Sequence, residues 1–396
     1  YYLTLSIMPG LYVHIPFCER KCIYCSFYSI ETFDGKERFL QSVVREITAR
    51  REELDRRAIT LPVFDTIFFG GGTPSLLSPD EIEGILQALR SSYSIAANTE
   101  VTMECNPGTL DPAWLEGYRD LGVNRLSFGV QSFHDDELAF LSRIHTAEQA
   151  VESISLARRY FENVSLDLIF ALPNQTVERW RSNLLRGIDL GTEHISAYSL
   201  IFEEGTPLNT MRLAGKVRPA PDGLEADMYE ETMRTLSNVG FQQYEVSNYA
   251  RPGYHCRHNL GYWERSTYLA FGPSAHGFVR EATPPFRWSN AANLSGWLDQ
   301  VEGGNLPTRT IEELDLREEM EETVYLGLRS RGIPLQEFRT LAGVDLTDAA
   351  PGIIDQMMDR RHGEIEEGKL RLTISGYPFA DRYAVTLIER IEQAYR

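Results

Sequence analysis

From Gly10 to about Leu200 the sequence alternates short apolar, β-branched runs with longer amphipathic ones, and few architectures can absorb that rhythm. It argues for repeated βα units on a parallel sheet. Strands are expected at 11–15, 65–69, 100–104, 125–128, 164–170 and 194–200, and helices at 37–54, 79–91, 112–121, 147–160 and 177–190. Six such units in succession give an α/β fold, a partial (β/α)6, TIM-like barrel. In such a barrel the loops after the strands gather at one face and carry the chemistry.

At 396 residues the chain also has room for a smaller second domain. After Phe241 the rhythm breaks into an aromatic, His-rich segment, 244–278, and then a Pro-containing stretch, 283–286. Beyond Pro307 the pattern reads as an acidic helix at 311–328, a helix start at Pro334, a third helix near Ile353 and a strand pair at 370–374 and 383–386. The expected division is therefore 1–290 for the barrel, including 244–278, and 300–396 for a small, mainly helical, winged-helix-like domain.

Composition narrows the function classes. A hydrophobic content of 42% with 24% charged residues is that of an ordinary globular chain. A net charge of −18 repels phosphate backbones and anionic headgroups, so no nucleic-acid partner is expected. The apolar opening, residues 1–8, lacks the basic start of a secretory signal and is broken by Pro9-Gly10; no run of about 18 apolar residues follows. The expected location is cytoplasmic, with peripheral contact at a membrane left open.

Three of the five cysteines fall within eight positions, in His14-Ile-Pro-Phe-Cys18-Glu-Arg-Lys-Cys22-Ile-Tyr-Cys25, directly after the first expected strand. In a reducing compartment such clustering means metal more often than a bridge. Three thiolates in one loop can hold three corners of a 4Fe-4S cubane. The fourth iron would then be free to chelate the amino and carboxylate groups of S-adenosylmethionine (SAM), whose C–S bond an electron from the cluster can cleave. A structural zinc would want a fourth ligand, and Cys105 and Cys256 are isolated.

Polar groups recur at the later strand ends. Gly70-Gly71-Gly72-Thr73 follows the second, and Glu104 closes the third ahead of Asn106-Pro107. Gln131 ends the fourth, with Arg143 one helix later, and Asp167 interrupts the apolar fifth. Glycines let a backbone approach a ligand, Arg143 suits a carboxylate, and a buried Asp167 needs a partner. Each alone is as readily structural; their repetition at successive strand ends is harder to dismiss.

On these segments the chain resembles the radical SAM superfamily, within it the group of oxygen-independent coproporphyrinogen III dehydrogenases and HemW heme chaperones. The markers are Tyr12-Val-His-Ile-Pro-Phe-Cys18, Gly70-Gly-Gly-Thr-Pro-Ser75, Glu104-Cys-Asn-Pro107, Gly129-Val-Gln-Ser-Phe133, Asp167-Leu-Ile-Phe-Ala-Leu-Pro173 and His258-Asn-Leu-Gly-Tyr-Trp263, spanning about 11–278. The resemblance implies that Tyr24 stacks near the adenine and that Tyr12, Gly71, Gly72, Thr73, Glu104, Gln131, Arg143 and Asp167 line the SAM site, with Ile201 at the adenosyl group. Phe27 stands where the dehydrogenases carry a fourth cysteine, and only 17 residues precede Cys18 where they have a longer arm. Both features point to the HemW-like branch. That branch implies heme as cargo, acceptor hemoproteins of respiratory-chain or membrane-associated kind, an electron donor the sequence leaves unidentified, and a heme motif formed by His258, Asn259, Tyr262 and Trp263. The alternatives are oxidative decarboxylation of coproporphyrinogen and, for the aromatic motif, plain core packing with hydrogen-bonded histidines.

Overall fold

A computed structural model describes residues 8–394, so the expectation for the apolar opening at 1–7 lies outside the described residues. Six parallel strands, β1 (Gly10–Ile15), β2 (Phe64–Gly71), β3 (Ile95–Cys105), β4 (Arg125–Gln131), β5 (Val164–Phe170) and β6 (His194–Ser199), lie side by side in chain order, as the alternation predicts. The helices between them begin where the sequence supplies caps. Ser78 with Glu81 and Thr146 with Gln149 form reciprocal capping boxes, and Asp111 and Thr176 accept from the first-turn amides of Pro112–Asp120 and Val177–Asp189.

The sheet is longer than six strands. Beyond β6 lie β8 (Asn248–Ala250) and β7 (Gln242–Gln243); beyond β1 lie β9 (Tyr268–Phe271), β10 (His276–Val279), β11 (Phe286–Asn290) and β12 (Thr308–Glu313). These strands have two to six residues each, too short for a period-two pattern to stand out. The large sheet thus runs to Glu313, whereas the C-terminal unit was expected from 300 and a helix from 311. The helix in fact opens at Leu316, behind an Asp315–Glu318 capping box.

Side chains divide by the pleat. Leu11, Val13, Ile67, Phe69, Val101, Met103, Leu126, Phe128, Leu166, Leu168 and Ile195 are buried against the outer helices. The alternate positions carry Tyr12, His14, Thr66, Glu100, Thr102, Glu104, Arg125, Ser127, Ser165, Asp167, His194 and Ser196. The lumen is therefore polar and its groups pair across strands. Ser165 Oγ and Tyr244 Oη each share a 2.7 Å hydrogen bond with one ring nitrogen of His194.

The helix Arg257–Trp263 plugs the end of this lumen formed by the strands' N-termini. The backbone N–H groups of Arg257 and His258 donate to the Glu100 carboxylate at 3.2 Å each, which satisfies two of the helix's free amides. His258 is 2% exposed, stacked on Phe68 with ring centroids 5.0 Å apart, and its ring nitrogens meet Thr66 Oγ1 at 2.7 Å and Tyr262 Oη at 2.8 Å. Burial lowers its pKa to about 3, so the ring is neutral.

The C-terminal unit is mainly helical, built on Leu316–Leu328 and Ala380–Ala394, with a small antiparallel sheet ordered β13 (Ile333–Pro334), β15 (Lys369–Leu372), β14 (Gly363–Glu366). The hairpin joining β14 to β15 turns at Glu367 and Gly368, both at positive φ. Residues 383–386, expected as a strand, lie inside the last helix. Buried Ala380, Ala384, Leu387 and Ile391 recur at helical spacing, and that face outweighs the β-branched Val385-Thr386. Buried Arg265 ties the two units, reaching Glu319, Glu322 and Thr323. Among the described residues no helix is long and apolar enough to cross a membrane.

His258→Ala should leave the Thr66 and Tyr262 hydroxyls unpaired beside a void, at a cost of about 2–4 kcal/mol. Calorimetry of the metal-free, heme-free protein should show the unfolding midpoint about 2–5 °C lower; an unchanged midpoint would show that the ring does not hold the plug.

Candidate functional site

The cysteine loop is held from both sides before any ligand is considered. Cys18 N–H donates to Ile30 O (2.9 Å), Ile30 N–H to Pro16 O (2.8 Å) and Lys21 N–H to the Glu31 carboxylate (2.7 Å). His14, held neutral by burial with its pKa lowered to about 4, meets Tyr28 O at 2.8 Å.

The glycine run after β2 makes the next contact possible. Gly72 N–H donates to Ile15 O (2.7 Å) and Thr73 N–H to Phe17 O (2.8 Å). A Cβ on Gly72 would sit 2.6 Å from the Phe17 carbonyl oxygen, and Gly71 adopts φ 110°. The glycines therefore serve first to bring β2 against the cysteine loop, where Thr73 Oγ1 reaches Cys18 Sγ at 3.5 Å.

Cys18, Cys22 and Cys25 are free thiols that line one cavity of about 430 Å³ at the C-terminal ends of the strands. Of the residues expected around SAM, Tyr24, Gly71, Gly72, Thr73, Glu104, Gln131, Arg143, Asp167 and Ile201 line the same cavity. Tyr12 does not. It points into the lumen beneath, its hydroxyl 3.2 Å from His14 Nδ1 and its ring against Phe68, so it supports the floor instead of lining it. The heme-motif residues lie away from this cavity on the plug helix. His258 has both ring nitrogens engaged, Tyr262 is its partner, and Trp263 lines a crevice against the C-terminal unit together with Lys369. Asn259 is half-buried on the same helix. In this arrangement both ring nitrogens of His258 are hydrogen-bonded and the side chain is buried.

Asn106 and Ser127, given no role by the sequence beyond their places near strand ends, also line the cavity. Asn106 knits the site: its Oδ1 accepts from Arg143 Nη2 at 2.6 Å and its Nδ2 donates to Thr73 Oγ1 at 3.0 Å. Arg143 further donates to Gly129 O (2.5 Å) and, through Nη1, to Cys22 Sγ (3.4 Å). Ser127 Oγ meets Asp167 Oδ1 at 3.4 Å. Their strand-end positions were the available signal. Gln131 holds φ 70°, an unusual conformation for a non-glycine residue, fixed at the rim of the cavity.

The electrostatics favour a cation. Burial, and then the neighbouring Asp167 charge, raise the Glu104 carboxyl to about 8, although its Oε2 accepts from Gly71 N–H at 3.1 Å; burial raises Asp167 as well. Arg125 offsets part of both shifts and Arg143 part of that of Asp167, yet neither carboxyl forms an ion pair among the described residues, and the two together suit an ammonium or sulfonium group. The donor set fits a cluster too: burial pushes Cys18 up and Cys25 to about 11, so iron would displace protons on binding. Among the described residues no group of three or more His, Cys, Asp or Glu side chains is arranged for a single ion. Thiolates that each take a different corner of a multi-iron group need not converge on one point.

Comparison with known proteins agrees with this arrangement. Residues 12–184 match the radical SAM superfamily and 314–379 the HemN C-terminal domain. The chain is 37% identical to the heme chaperone HemW of Synechocystis sp. over 335 residues, covering 82% of this chain and 78% of that one. It is 33% identical to HemW of Bacillus subtilis over 374 residues, covering 93% and 96%. It is 34% identical to the mouse mitochondrial radical S-adenosyl methionine domain-containing protein 1, covering 99% and 90%. In fold it superposes on Escherichia coli coproporphyrinogen III oxidase (HemN) with a TM-score of 0.79 at 20% identity, over 97% of this chain and 91% of that one. Matches of this length and identity leave one conclusion: the chain belongs to the radical SAM superfamily, in the family of the HemW heme chaperones.

Proposed function

We propose that this protein is a heme chaperone that holds a 4Fe-4S cluster on Cys18, Cys22 and Cys25, binds SAM beside it, and passes heme to acceptor hemoproteins. The observation that carries the reading is the convergence of three free thiols and two cation-seeking carboxyls on one cavity, in a chain one-third identical to HemW proteins. When bound, the cluster supplies one electron and an open iron.

The chain's own residues do the rest. Tyr24 offers apolar surface to the adenosine. Glu104 and Asp167 face the positive groups of SAM. Arg143 and Gln131 suit its carboxylate, and Asn106 fixes the guanidinium in place. Thr73 and Arg143 also direct O–H and N–H donors at the sulfurs of Cys18 and Cys22. Tyr12 and the plug helix act through the fold. Phe27, in place of a fourth cysteine, favours heme handling over coproporphyrinogen decarboxylation.

Anaerobic reconstitution tests the whole. With reductant and SAM, the loaded protein should bind heme in a saturable, stoichiometric way and give no protoporphyrinogen from coproporphyrinogen; porphyrinogen turnover would replace this reading with the dehydrogenase one. Cys22→Ala should abolish retention of the iron and sulfide that the wild type keeps after desalting. SAM binding should also depend on pH. The Glu104 carboxyl is protonated up to about pH 8 in the free cavity, so placing a cation against it releases a proton. Equilibrium dialysis should show SAM affinity rising from pH 6 to 8 in the wild type and a smaller rise in Glu104→Gln; equal slopes would remove Glu104 from the contact.

A further inference from the structure

The mouth of the cavity carries apolar surface that neither cluster nor SAM ligation requires. Phe27, two residues past Cys25, is 65% exposed; Ile201, just past β6, is 63% exposed; Tyr198, within β6, is 41% exposed. All three line the cavity that holds the thiols. Large side chains open to this extent on a shared rim mark a binding surface more than a folding requirement.

The charge around that rim is specific. Arg20 and Lys21 line the same cavity. Lys21 Nζ is committed to Phe27 O at 3.0 Å, whereas exposed Arg20 makes no hydrogen bond or ion pair among the described residues. A free guanidinium beside an apolar rim, in a chain of net charge −18, suits a flat apolar molecule with carboxylates at its edge. The acid at the rim is Glu203, while Glu104 and Asp167 lie deeper.

Resting on the heme-cargo reading above, we propose that heme is carried across the mouth of the cluster cavity, its face on Phe27, Ile201 and Tyr198 and a propionate on Arg20, and not at the His258 helix. A cavity of about 430 Å³ already assigned to the cluster and SAM has no space for a tetrapyrrole inside, so the macrocycle covers it. No imidazole lines this cavity among the described residues, so the heme iron takes no histidine from its wall. Heme in that position also closes the exit for SAM.

Heme titration of the cluster-loaded full chain, followed by absorbance, tests the placement, together with the release rate of labelled SAM with and without heme. In the wild type, heme should slow SAM release by about tenfold or more. Phe27→Glu should weaken heme binding about tenfold or more and Arg20→Glu about threefold or more, each losing the effect on SAM release. Iron content is read in each variant; should Phe27→Glu shed its cluster, Arg20→Glu and Tyr198→Glu carry the comparison. His258→Ala should keep both the affinity and the absorption spectrum of bound heme. Full affinity in the rim variants with no effect on SAM release overturns the placement yet leaves a heme carrier. Loss of binding in a folded His258→Ala overturns it in favour of the plug helix. Absence of heme binding by the wild type removes the carrier reading itself.

Discussion

The structure depends on how six adjacent parallel strands share out their two faces. Apolar side chains turn outward to the helices and polar ones inward, so the lumen is lined by carboxylates, hydroxyls, imidazoles and the buried guanidinium of Arg125. Such a lumen cannot be left dry and unpaired, since a buried polar group without a partner costs more than an exposed one. The chain settles this differently at its two ends. At the N-terminal end of the strands the helix Arg257–Trp263 fills the opening and gives Glu100 two backbone donors. At the other end the lumen opens into the cavity, where Glu104 and Asp167 form no ion pair among the described residues.

The open end is rigid before any ligand arrives. Its cysteine loop is clamped to β2 by a glycine turn that tolerates no Cβ, and Arg143, Asn106 and Thr73 form one hydrogen-bonded chain across three βα units. Preorganisation of this kind lets a cluster and a small cation bind without the ordering cost that a mobile loop would impose. It also couples the groups. A change at Asn106 releases both the arginine beside Cys22 and the hydroxyl beside Cys18, although Asn106 itself touches neither thiol.

The His258 segment and the rim at Phe27 differ in accessibility in a way their sequences do not suggest. An aromatic, histidine-containing motif looks like a porphyrin site, yet its imidazole is consumed in closing the barrel. An isolated phenylalanine after a cysteine motif looks like a mere departure from a pattern, yet it stands exposed at the entrance. Burial separates the two: His258 is enclosed, whereas Phe27 is open to solvent.

The sequence by itself determined the six βα units, their order and the loop that carries the thiols, because period-two and helical patterns and capping residues are local and strong. It likewise marked most of the strand-end groups around the cavity. Only the tertiary structure decided that Tyr12 lies under the floor, that Asn106 links Arg143 to Thr73, and that His258 is a plug. It also decided that 383–386 is helical and that short strands extend the sheet at both edges. Those outcomes are set by contacts between residues far apart in the chain, such as Thr66 with His258 or Gly72 with Ile15 and Phe17. No local pattern encodes them, since the energy of burying a polar group depends on what the rest of the fold places beside it.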